Sequence, residues 1–138
     1  MEKEINYYTF ADNDYEFLKI NMKEGRVFNA MTSIAQNVCE GFLKHLIDCY
    51  CTDIDCTAAL KTHSLKRMIR FLNDNLTDFE IDKTKVILAD GYYFSARCPG
   101  DDSFFANEED VKICWEAVEE TKKAVDGYLE KHSGRNFL

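Results

Sequence analysis

The sequence is poor in residues that break helices: one proline and six glycines in 138 residues leave little room for long irregular loops or disorder. No apolar run approaches the roughly eighteen residues that a membrane-spanning helix needs. Met1 to Tyr8 alternates charges and has no apolar segment of the kind a secretory signal requires. The expected location is therefore cytoplasmic. Positive charge is also scarce, with 17 Lys and Arg against 25 Asp and Glu and a formal net charge of −8. That balance excludes a protein that coats nucleic acid or anionic membrane non-specifically, because such binding is driven by phosphate neutralisation. There is no glycine-rich phosphate loop, no Ser-His-Asp order and no paired HExxH motif, so ordinary kinase and hydrolase readings have no residues to rest on.

Cysteine is not scarce, but its pattern is uninformative. The six thiols stand at 39, 49, 51, 56, 98 and 114, and in the cytoplasm they are expected to stay reduced. Cys39 and Cys114 lie among apolar residues of helical segments and read as small core side chains. Cys49, Cys51 and Cys56, with His45 four residues before Cys49, raise a thiolate zinc site. The first pair is separated by one residue instead of two to four, which fits no standard zinc spacing. No metal and no cofactor is expected.

What the chain has is helical periodicity. Val27, Met31, Ile34, Val38, Phe42 and Leu46, widened by Ala30, Ala35, Leu43 and Ile47, form the three-and-four stripe of one long helix from Val27 to Cys51. Gln36, Glu40 and Lys44 recur every four residues on another side, and Glu40 precedes Lys44 in the order that favours an exposed ion pair. A first helix is predicted from about Ala11 to Glu24, with Asp12 and Asn13 as caps, after a partly extended arm ending in Tyr7, Tyr8 and Phe10 that docks on the bundle. Gly25 ends that helix, and so short a link makes the first two helices antiparallel.

Residues Thr52 to Thr62 read as an irregular connection. Leu65, Met68, Ile69, Leu72 and Leu76 mark a third helix capped by Thr62 or Ser64. A fourth is predicted from about Lys83 to Phe94 and ends before Pro99-Gly100. Asn107 caps a fifth that begins Glu108-Glu109-Asp110, where the helix dipole favours negative charge, and runs to about Lys131. The expected fold is one domain over 1–138, its core about 11–131: an all-α, antiparallel up-and-down bundle of four to five helices.

Four patches carry a family resemblance. They are Ala35-Gln36 with Glu40 and Lys44, Thr62-His63-Ser64-Leu65, Tyr93 with Ala96-Arg97 and Pro99-Gly100, and the acidic start at Asn107 to Asp110. In order and spacing they resemble the HEPN family, the helical domains named for higher eukaryotes and prokaryotes nucleotide-binding. Two places depart from it. Gly41 follows the helix-two glutamate where the family commonly has lysine, and Cys98 follows Arg97 where it commonly has tyrosine. The resemblance implies a bundle that usually dimerises. It also implies one of two roles: a metal-independent ribonuclease, often a toxin in a toxin–antitoxin pair, or a non-catalytic member that binds nucleotides or works beside a small nucleotidyltransferase.

The ribonuclease members carry an arginine followed, after four to six residues, by a histidine. Ahead of His45, His63 and His132 the required positions hold Val38-Cys39-Glu40, Cys56-Thr57-Ala58 and Val125-Asp126-Gly127. That signature is absent. Arg97, followed by Asp101 and Asp102, supplies a cation for a developing phosphorane without the proton carrier it needs.

The candidate ligand-binding residues are Lys44, Lys61, His63, Lys66, Arg67, Arg70 and Arg97. From Lys44 to Arg70 five Lys and Arg face three Asp and no Glu, a local net of +2 in a chain of −8. Lys66, Arg67 and Arg70 fall near a helix start, where free backbone amides also suit an anion. The alternative is a solvated face that balances acidic neighbours or a dimer partner. His63 has three candidate roles: a hydrogen bond to the helix end, one to the long helix, or contact with a ligand phosphate. Arg97 is a candidate for a bidentate bridge to a carboxylate such as Glu40, with ligand contact as its alternative. The expected function is a dimeric, non-catalytic nucleotide- or polyanion-binding module with a nucleotidyltransferase partner. The alternatives are a ribonuclease with a displaced catalytic set of His63, Arg97 and the acidic loop, and a purely structural interaction domain.

Overall fold

The computed structural model describes residues 4–92 and 105–132. Among them are six helices and no strand: α1 (Tyr7–Lys23), α2 (Asn29–Tyr50), α3 (Thr57–Lys61), α4 (Leu65–Asn75), α5 (Lys83–Ile87) and α6 (Glu108–His132). The expected all-α helical bundle is the architecture found. Two of the helices are only five residues long, so four long ones make the frame.

α2 is the centre, and α1, α3, α4 and α6 all pack on it. Twelve of its 22 residues are buried, more than one apolar stripe can account for, so it is covered on several sides. Val38, Phe42, Leu43, Leu46 and Ile47 have no exposed surface. α1 runs antiparallel to α2, with the rings of Tyr8 and Tyr15 on Phe42 and Tyr8 also on His45. α6 runs in the same direction as α2, as the second and fourth long helices of an up-and-down bundle do. Phe42 faces Lys122, and eight residues on Tyr50 meets Tyr128 and His132.

Lys122 ties three helices at once. Its Nζ lies 2.7 Å from Asp126 Oδ2 and 3.2 Å from the Tyr8 hydroxyl, over the rings of Tyr8, Tyr15 and Phe42. Burial disfavours its charge, but hydrogen bonds to Asp126 and Tyr8 outweigh that and raise its pKa. Tyr8 in turn donates to Asp126 Oδ1 at 2.6 Å.

Helix boundaries differ from the expected ones for local reasons. α1 starts at Tyr7, because Asn6 and Thr9 form a reciprocal capping box in which Asn6 Oδ1 accepts from the Thr9 amide at 2.9 Å and Thr9 Oγ1 from the Asn6 amide at 3.1 Å. Asp12 and Asn13 are therefore interior helical residues and not caps. α2 starts at Asn29, leaving Val27 exposed before it. The connection read as irregular contains α3, where Asp55 Oδ1 accepts from the Thr57 amide. α4 is capped by Ser64, which accepts from the Arg67 amide at 3.2 Å.

α5 is shorter than the predicted fourth helix. After Ile87 the backbone tightens to three-residue bonds, Ala89 to Val86, Asp90 to Ile87 and Tyr92 to Ala89, and the predicted end at Phe94 lies outside the described residues. α6 opens as expected on Asn107, whose Oδ1 accepts from the Asp110 amide while Asp110 Oδ2 accepts from the Asn107 amide, both at 2.9 Å.

Candidate functional site

Gln36, Glu40 and Lys44 stack one turn apart along α2, and the structure corrects their expected exposure: all three are buried. Four-residue spacing is the same for a solvated ion pair and an enclosed one; here α1 and the segment entering α4 cover it. Glu40 is the hub. Its Oε1 receives Lys44 Nζ at 3.2 Å and lies 3.0 Å from His63 Nδ1, while Gln36 Nε2 donates to the His63 carbonyl at 2.8 Å. Of the three roles open to His63 the structure shows contact with the long helix, with about half of its side chain still exposed.

Glu40 Oε2 and Gln36 Oε1 are buried and have no hydrogen-bond partner among the described residues. A buried acceptor without a donor forfeits the water bonds it had in the unfolded chain, a cost of roughly 1–3 kcal/mol.

The basic residues divide. Lys44 belongs to the buried line and lies in a groove between α1 and α2. Lys66 and Arg70, one turn apart on the exposed side of α4, line a separate recess of about 220 Å³ together with Lys83 of α5, Asn73 and Asp74. Lys61 and Arg67 are exposed. None of Lys61, Lys66, Arg67, Arg70 and Lys83 makes an ion pair among the described residues. Arg97 lies outside the described residues, as do Tyr93, Cys98 and Pro99-Gly100.

The expectation of free backbone amides at the start of α4 is overturned. Asp90 Oδ1 accepts from the Leu65 amide at 2.7 Å and Asp90 Oδ2 from the Lys66 amide at 3.1 Å, and the Arg67 amide goes to Ser64. A carboxylate already occupies the place an anion would take at that positive helix end. Any anion held by Lys66 and Arg70 is thus held by side chains. Sequence reasoning missed Asp90 because no spacing rule links residues twenty-five apart. It also missed Asn29, whose Oδ1 accepts from the Ala106 amide at 2.9 Å and ties the approach to α6 onto α2.

The described thiols of the zinc candidate divide between two separate contacts. Cys49 Sγ is 3.8 Å from His45 Nδ1, whereas Cys56 Sγ donates to the Cys51 carbonyl at 2.9 Å. Among the described residues no three His, Cys, Asp or Glu side chains form a metal-sized cluster.

A family comparison covers this whole arrangement: the HEPN domain model aligns with residues 7–128. The chain belongs to the HEPN family. No curated protein and no solved structure shows a significant match. The HEPN domain spans α1 to most of α6, so the candidate residues all fall within it. Of the two departures, Gly41 has a structural cause. A Cβ there would stand 2.8 Å from Ala11 Cβ and 3.3 Å from the Tyr7 carbonyl, so α1 leaves no room for a side chain at this position.

Proposed function

We propose that this HEPN protein is a homodimeric binding module without catalytic activity of its own, that its ligand is a nucleotide or another phosphate-bearing molecule, and that a small nucleotidyltransferase is its protein partner. The observation that carries the ligand reading is the recess at α4 and α5. Lys66, Arg70 and Lys83 face one carboxylate, Asp74, in a space of about 220 Å³, and no ion pair among the described residues neutralises the three cations. Lys61 and Arg67 extend the basic surface, and His63 lies at the entrance to the same helix. The missing arginine–histidine spacing supports a non-catalytic role, and the nucleotidyltransferase follows from the family resemblance. The ribonuclease alternative needs His63 and Arg97 in one open cleft, whereas Glu40 engages His63 Nδ1.

Dimerisation is supported by the outer surface of α1, where Phe10, Phe17 and Ile20 are 67%, 49% and 56% exposed. Three large apolar side chains exposed along one helix suit a surface that a second copy of the chain covers.

Thermal unfolding across a panel of nucleotides at low and moderate salt tests the ligand reading, with the Lys66→Ala, Arg70→Ala double variant alongside. A ligand at a hundredfold excess over its dissociation constant adds about 2.7 kcal/mol of stability. A rise in melting temperature that the double variant loses is the expected result. Equal shifts in both proteins would move the site elsewhere, and no shift with any nucleotide would leave the partner-binding role alone.

A further inference from the structure

From either end, the exposed line of α1 has the same order of side chains. Tyr7 and Phe10 are apolar and one turn apart, Asn13 and Asp14 are polar, and Phe17 and Ile20 are again apolar and one turn apart. All six are exposed and lie on one side of the helix, away from the buried Ala11, Tyr15 and Leu18. The line is thus a palindrome centred between Asn13 and Asp14. A monomer has no use for such symmetry, whereas an isologous contact requires it: about a two-fold axis, residue i of one copy meets j of the other and j meets i.

With the axis between Asn13 and Asp14, an antiparallel copy sets Phe10 on Phe17 and Tyr7 on Ile20, so every apolar side chain of the line finds an apolar partner. Other registers lose the match. Moving Phe10 onto Ile20 sets Phe17 on Asn13 and Tyr7 on Lys23, and the opposite shift sets Phe10 on Asp14 and Ile20 on Glu4. A parallel pair would put like on like, charges included, with Glu4 on Glu4 and Lys23 on Lys23. Antiparallel pairing brings Glu4 toward Lys23 at the rim instead, and places each helix's positive end beside the other's negative end. It also carries the exposed Ile5, just before α1, toward the exposed Val27 and Phe28 just after α1 of the other copy.

One flank of this line borders the groove of about 570 Å³ between α1 and α2, where Asp14, Glu40 and Asp48 stand against a single cation, Lys44. Tyr7 and Phe10 line the same groove, so a second α1 placed on them also roofs its edge.

We propose that the dimer seam is α1 packed antiparallel on α1 of a second copy, with the two-fold axis between Asn13 and Asp14 and Phe10 of each copy on Phe17 of the other. This rests on the homodimer reading and adds its register. The axis has one unfavourable feature. It sets the two Asp14 carboxylates side by side, and like charges opposed at an interface weaken it; the Asn13 amides bring N–H donors to the same level.

Oxidative cross-linking of the full chain with diamide tests the register. A Cys49→Ser background removes the exposed native thiol, and the same background oxidised alongside sets the baseline. For helices packed 8–10 Å apart, the two Asp14 Cα atoms come within roughly 6 Å, inside disulfide range. Asp14→Cys should therefore cross-link with itself. Phe10→Cys and Phe17→Cys should not, because seven residues of helical rise put roughly 10 Å between like positions, yet a mixture of the two should. Asp14→Asn, which removes the facing charges, should associate several-fold more tightly in sedimentation. In a chain that sediments as a dimer, self-cross-linking of Phe10→Cys, none from Asp14→Cys or from the mixture, or no tightening in Asp14→Asn overturns this seam and leaves the homodimer standing. A chain that sediments only as a monomer overturns both.

Discussion

At the scale of single residues, the molecule is governed by polar groups that lost their water. Glu40, Lys44 and Gln36 were legible as a repeating set, and their burial was not, because the sequence cannot say which side of a helix another element will cover. Thiols show the converse: Cys39 and Cys114 read as core residues and are almost wholly buried. Burial pushes the Cys39 thiol from 9.0 up to about 12, helped by the charges of Asp90 and Glu40 and opposed by a hydrogen bond with Thr121. The folded state therefore holds this proton where the unfolded chain releases it. Its contribution to stability is complete below pH 9.0 and is lost as pH rises toward about 12. Urea midpoints measured from neutral to strongly alkaline pH should fall through that window, and Cys39→Ala should flatten part of the fall. A curve of identical slope in both proteins would show that the thiol is ionised in the fold. Burial also raises Cys114, Tyr8 and Tyr92, the last two reinforced by hydrogen bonds to Asp126 and Asp110, so Cys39→Ala removes only its own share.

At the scale of elements, existence was easier to read than ends. The stripe of α2 and the acidic opening of α6 follow from periodicity and capping rules that act within one or two turns. α3 was hidden because five residues carry too little periodicity to register, and α5 stops where Asp90 turns away to the start of α4. The α1–α2 contact is the sharpest test of packing. A methyl group at Gly41 meets Ala11 Cβ at 2.8 Å, and overpacking of this kind costs about 1–3 kcal/mol. Helix propensity returns up to about 1 kcal/mol for replacing a helical glycine by alanine. Gly41→Ala should therefore be destabilising by up to about 2 kcal/mol in chemical denaturation, and the cost should shrink when Ala11→Gly is combined with it, since contacting residues couple. Additive effects of the two substitutions would mean that α1 shifts freely over α2.

At the scale of the whole molecule, the charge of −8 conceals two local chemistries, a basic recess on α4–α5 and an acidic groove between α1 and α2. The apolar stripe on α1 borders that groove, and it makes the dimer testable. Sedimentation at micromolar concentration should give a species of twice the chain mass, and Phe10→Lys with Phe17→Lys should give the monomer with unchanged helical circular dichroism. A native chain that sediments only as a monomer would remove dimerisation from the proposed function. By itself the sequence determined the all-α class, the central place of α2 and the HEPN membership, because helical periodicity, capping and motif order are written at short range along the chain. Only the tertiary structure decided that Gln36, Glu40 and Lys44 form a buried line, that Asp90 fills the anion place at α4, and that Lys44 parts from Lys66 and Arg70. Each of these depends on what distant segments bring against a helix face, and burial sets the energy of a charge far more than its neighbours in sequence do.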